Sequence, residues 1–141
     1  MRERLFAAGA AALAFALAGC DVAEKAPTFT QINETILKPN CTFACHSGGV
    51  DAAGRLDLEF TPYEALVGAA AASDECATSP MKRVVAGDPE QSLFYMMSFA
   101  KLHGKEAPCG GVMPLGEDRP SLTADELEGV RLWISNGAPN D

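Results

Sequence analysis

The sequence predicts an all-α fold of about four short helices joined by glycine- and proline-rich loops. Three observations carry this expectation. A Thr or Asp followed three positions on by Gln or Glu recurs four times along the chain, as capping chemistry requires. The apolar residues behind these caps fall at helical rather than alternating spacing. The stretches 47–54 and 108–120 are rich in Gly and Pro and read as connections.

Thr28 with Gln31 opens the first helix, whose Phe29, Ile32, Ile36 and Leu37 share one face, and Pro39 is expected to stop it. Thr61, Pro62 and Glu64 supply an N-cap, a first-turn proline and a capping-box acid for a short helix bearing Leu66 and Val67. Asp88, Pro89 and Gln91 repeat that signature for a helix running to about Leu102, with Leu93, Phe94 and Met97 inward. Thr123 and Glu126 open the last helix; Leu127, Val130, Trp133 and Ile134 form its apolar stripe and Gly137 closes it. Arg55-Leu-Asp-Leu58 alternates, but is too short for a sheet.

The N-terminus reads as an export signal. Arg2 and Arg4 precede an apolar run from Leu5 to Leu17, too short to span a bilayer comfortably, and the run ends in Leu17-Ala-Gly-Cys20. This looks like a bacterial lipoprotein signal: residues 1–19 removed, Cys20 lipidated, 20–28 a tether and 29–141 the domain. Localisation is then lipid-anchored, on the periplasmic side of a bacterial membrane or at the cell surface. The full chain of 141 residues carries a net charge of −8. Loss of 1–19 leaves about 122 residues, enough for one domain and one core, with a charge near −9. An acidic chain lacks the basic face that phosphate binding needs, so nucleic acid is not an expected partner.

The densest chemistry lies in Cys41-Thr-Phe-Ala-Cys45-His46. Two thiols on one short turn, with an imidazole directly after the second, is the arrangement that fixes a haem covalently and ligates its iron. The usual spacing has two residues between the cysteines; this chain has three. The competing readings pair Cys41 with Cys45 in a disulfide, or take these residues for zinc, which the lack of a second close Cys pair disfavours. With Cys20 assigned to lipid and Cys41 and Cys45 to haem, Cys76 and Cys109 remain as a disulfide for an exported protein. Such a bridge contributes on the order of 3 kcal/mol in the chain-entropy model.

An electron-transfer haem needs a second axial ligand. Met113 sits in Cys109-Gly-Gly-Val-Met113-Pro114, where glycines let the backbone approach a flat ring and the proline restrains the residue before it. Met96 and Met97 lie mid-helix, where at least one of them suits core packing. His103 is the rival ligand, although its place at a helix C-terminus gives an imidazolium a favourable dipole contact instead.

The order of Cys41/Cys45-His46 after an N-terminal helix, Met113-Pro114 in a late loop, and a last helix bearing Trp133 resembles the mono-haem, class I cytochrome c domain. Val85-Ala-Gly-Asp-Pro-Glu-Gln-Ser-Leu-Phe-Tyr95 and Leu132-Trp-Ile-Ser-Asn-Gly-Ala138 are similar to a branch found in exported, often lipid-anchored bacterial proteins. The resemblance spans roughly 29–141. It implies a cytochrome c-like fold whose first and last helices cross, and one covalent haem c. The thioethers would be at Cys41 and Cys45, with His46 the proximal and Met113 the distal ligand. The function expected is single-electron transfer to redox partner proteins by a monomer that is not an enzyme. The alternative is a haem-free, disulfide-stabilised surface module of the same fold.

Overall fold

The first helix begins where the capping chemistry puts it. Thr28 accepts from the Gln31 N–H while the Gln31 side chain accepts from the Thr28 N–H, a complete capping box at the head of α1 (Phe29–Ile32). The computed structural model describes residues 25–43 and 45–141. The expected signal 1–19, the lipidation site Cys20 and most of the 20–28 tether lie outside the described residues.

Pro39 does not end this helix, contrary to expectation. α1 continues without a break into a π-helical segment, Asn33–Thr42, with Pro39 inside it. Proline has no N–H to give, and its ring crowds the carbonyl four residues back in an α-helix; the wider i→i+5 coil avoids that crowding. The chain therefore reaches Cys41 still coiled.

The remaining helices are α2 (Pro62–Leu66), α3 (Leu93–His103) and α4 (Ala124–Ser135). Among the described residues no β-strand forms, only isolated bridges such as Val67 with Val84. Thr61 stands at the N-cap of α2 with Pro62 behind it, but its side chain makes no capping hydrogen bond, so the expected box with Glu64 is absent. Asp88 does cap, accepting from the Gln91 N–H, yet what it caps is a separate 3₁₀ turn, Pro89–Gln91. Ser92 is extended and fully buried, and its hydroxyl bridges the Val85 N–H and the Asp88 carbonyl, so α3 starts afresh at Leu93. α4 carries the second complete capping box, Thr123 with Glu126.

The core lies where the two ends of the domain meet. Phe29, Ile32, Ile36 and Leu37 pack against Val130, Trp133 and Ile134, and Trp133 is fully buried. The Phe29 ring lies 5.5 Å from Trp133 and meets Tyr63 edge-on at 5.1 Å. The polar atoms of these aromatics are satisfied by the chain end: the Trp133 indole N–H donates to Pro139 O (3.1 Å) and the Tyr63 hydroxyl to Ala138 O (2.9 Å). Thr30 N–H reaches Asp141 Oδ1 at 3.1 Å, drawing the last residue onto the first helix.

Truncation here is expected to be severe. Trp133→Ala should destabilise the domain by about 3–5 kcal/mol, read as a lowered urea midpoint with little change in slope. A loss below about 1 kcal/mol, the level of an exposed substitution, would show that Trp133 does not anchor the core.

Candidate functional site

Cys41 and Thr42 are the last residues of the π-helical segment, and that geometry carries into the turn behind them. The His46 N–H donates to Cys41 O, five residues back, at 3.1 Å. The Thr42 hydroxyl likewise donates to Leu37 O, five back, at 3.2 Å. With a two-residue spacer the histidine would stand four residues after the first cysteine, and the same closure would be an α-turn. The extra residue is absorbed by continuing the wider coil.

His46 is half-buried, and its Nδ1 lies 2.9 Å from Ala53 O. A carbonyl only accepts, so Nδ1 bears the proton and the Nε2 lone pair is left free. The turn is tied to the following loop by two further bonds, Ala53 N–H to Cys45 O (2.8 Å) and Leu58 N–H to His46 O (2.7 Å). Burial, opposed by the backbone hydrogen bonds of Ala53 and Leu56 and assisted by the nearby Arg83 charge, holds the imidazole below its ordinary value of 6.5. The neutral ring is the form that binds a metal.

Cys41 and Cys45 are not bonded to each other. Burial, with a smaller contribution from Cys45, pushes the Cys41 thiol up from 9.0 to about 12. A thiol so held is uncharged at neutral pH and is not an activated nucleophile.

These three residues line a cleft of about 340 Å³, and Met97, Met113 and Pro114 line it too. Its size falls within the range of ~300–1,000 Å³ usual for small-molecule sites. Leu37 and Leu122 belong both to its wall and to the hydrophobic core. The Met113 loop is held at several points. Cys109 is bonded to Cys76, which also lines the cleft. Met113 N–H donates to Met97 O (3.2 Å), and Lys101 Nζ to Gly116 O (2.6 Å).

The structure thus gathers Cys41, Cys45, His46 and Met113 on one cleft and leaves His103 out of it. His103 is exposed, with its ring 4.2 Å from that of Phe99 on the surface of α3. Met97 also lines the cleft, from the inward face of the helix where the sequence placed it. Two participants carried no usable sequence signal: the Ala53 carbonyl that orients the imidazole, and Arg83, which also lines the cleft.

No three His, Cys, Asp or Glu side chains gather to hold a metal ion among the described residues. A porphyrin brings four nitrogen ligands of its own, so a haem asks the protein for two axial donors and, for covalent attachment, two thiols. The donor set of the cleft fits that requirement: one imidazole with a free Nε2, thioethers at Met113 and Met97, and two unbonded cysteines. Comparison with family models, curated proteins and solved structures found no match to this chain.

The two shifted groups set a pH window for the haem-free chain. His46, lowered from 6.5, stabilises the fold above that value and loses this contribution as pH falls through the depressed value. Cys41, raised from 9.0 to about 12, stabilises the fold below 9.0 and loses it as pH rises toward 12. The melting temperature is expected to fall on both sides of the interval between 6.5 and 9.0. Cys41→Ala should flatten the alkaline fall and His46→Gln the acid one. An alkaline limb identical in wild type and Cys41→Ala would show that the thiol is not the group responsible.

Proposed function

We propose that this chain is an exported c-type cytochrome that passes single electrons through one covalently attached haem c. The observation that carries the reading is the cleft itself. It unites the thiols of Cys41 and Cys45, the imidazole of His46 with Nδ1 engaged by Ala53 O, and the thioether of Met113. In this reading Cys41 and Cys45 would hold the ring as thioethers, and His46 through Nε2 and Met113 through its sulfur would ligate the iron. The bound group supplies an iron that cycles between two oxidation states.

What the chain contributes is placement and exclusion. The Ala53 carbonyl keeps His46 in the tautomer that ligates. The Cys76–Cys109 bridge and the Met113 N–H bond to Met97 O hold the distal loop against α3. His46 and Met113, as the two ligands of a bound haem, would leave no open site for oxygen or peroxide chemistry, which favours a carrier over an enzyme. Lipid on Cys20 would tether the domain to a membrane, and the charge near −9 left after loss of 1–19 would steer basic redox partners toward it. The free thiols at Cys41 and Cys45 favour this reading over the haem-free module, whose disulfide they do not form.

Full-length protein produced with c-type maturation machinery should show the sharp reduced-minus-oxidised bands of a low-spin haem, and a mass increased by one haem. A colourless protein of unmodified domain mass sinks the proposal. Met113→Ala should leave the haem attached, lower its potential and let carbon monoxide bind the reduced form, whereas Met97→Ala should do none of the last two. If the pattern is reversed, Met97 is the ligand.

A further inference from the structure

Arg83 belongs to the cleft wall, yet the proposed electron carrier leaves it without a role. Its main chain is pinned on both sides, the N–H donating to Ala69 O (2.8 Å) and the carbonyl accepting from Phe94 N–H (3.0 Å). Its guanidinium makes no ion pair among the described residues. It is committed to carbonyls: Nη1 to Ala65 O at 3.0 Å, and Nη2 to Arg55 O at 2.9 Å and Gly54 O at 3.5 Å. A planar fork with fixed donors suits this task, linking the C-terminal half of α2 to one turn of the 53–55 loop.

That turn carries the acceptor of His46. Gly54 and Arg55 both have positive φ, 62° and 53°. For arginine the left-handed region is strained and persists only where surrounding bonds hold it. Arg83 supplies such a bond, to the carbonyl of Arg55 itself. One residue before this pair, Ala53 O accepts from His46 Nδ1 (2.9 Å) while Ala53 N–H donates to Cys45 O (2.8 Å). Releasing the 54–55 carbonyls frees the turn to relax, and Ala53 O moves with it.

We propose that Arg83 is a positioning residue for His46. Its fork to the 54–55 carbonyls fixes Ala53 O as the acceptor for Nδ1, and so fixes the ring orientation and tautomer that keep Nε2 available for iron. The consequence for iron rests on the haem reading, whereas the geometry does not. The competing explanation is that Arg83 acts on the cleft only through its charge, and a lysine would then serve equally well.

The test uses full-length protein as purified from a host with c-type maturation machinery, in the reduced state. Proton NMR follows solvent exchange of the His46 Nδ1–H relative to the Trp133 indole N–H, which is bonded to Pro139 O in the core and serves as internal reference. Arg83→Lys and Arg83→Met should each raise the His46-to-Trp133 exchange ratio about tenfold, the scale of one released hydrogen bond. Arg55→Gly, which keeps the carbonyl and removes the strain, should bring the ratio in Arg83→Lys back toward wild type. A ratio unchanged in Arg83→Lys overturns the proposal, whether because the residue acts by charge alone or because it only adds to global stability. The absorption spectrum of the same sample reports separately on haem, so failure of the haem reading is distinguishable from failure of the positioning role.

Discussion

A chain whose first α-helical stretch has four residues and whose second has five cannot hold itself by helix propensity, because nucleation costs more than so few hydrogen bonds return. Its stability must come from bringing distant pieces together, and the contact that does so is Trp133 against Phe29. Around it the polar ends of two aromatics collect the carbonyls of Ala138 and Pro139, so the C-terminal residues wrap back over α1. This closure also fixes one wall of the cleft. Leu37 lies in the segment leading directly to Cys41, and it packs into the core on one side and lines the cleft on the other. The Cys41–His46 turn is therefore held by the core through Leu37 on one side and by the 53–58 loop on the other.

The opposite requirement, precision in a loop-rich region, is met by main-chain hydrogen bonds in place of regular structure. Ala53 bonds to both Cys45 and His46, Leu58 bonds to His46, and Arg83 collects the next two carbonyls of the same turn. The Met113 side uses a covalent link instead, Cys76 to Cys109, with Lys101 fastening the far end of the Met113 loop to α3. Each side of the cleft is thus cross-tied to a helix: the 53–55 turn to α2 through Arg83, the Met113 loop to α3 through Met97 and Lys101. Side chains held from two helices in this way keep a cleft open between them without requiring long helices.

How much of this is legible in the sequence depends on the range of the interaction. The boxes at Thr28–Gln31 and Thr123–Glu126 are local, three residues apart, and are found where the pattern puts them. At Asp88–Gln91 the equally local pattern yields the Asp88 cap without the reciprocal bond, and it builds only a 3₁₀ turn, because buried Ser92 takes two backbone partners and interrupts the coil. Met113 is legible because glycine and proline beside it shape a loop. Met97 is not, since a methionine on an apolar helix face looks the same whether it packs or lines a cleft. Arg83 acts on carbonyls 28 and 29 residues away, and a carbonyl acceptor such as Ala53 O carries no side-chain identity for a sequence to display.

Pro39, expected from the sequence to stop the first helix, and the three-residue spacer belong to one feature in the structure. The proline is tolerated inside the first helix because the coil there is already i→i+5, and that coil delivers Cys41 at its end. The turn that follows keeps the same step, His46 N–H to Cys41 O across five residues. A two-residue spacer on this helix would ask the chain to tighten to an α-turn immediately after a segment held wide, moving His46 relative to Ala53 O. With three residues the widened step carries through, His46 meets its acceptor, and the spacer residue Phe43 is left 89% exposed, outside the cleft. The spacer length is matched to the helix it leaves, so departure from the usual spacing is compatible with both cysteines and the histidine lining one cleft.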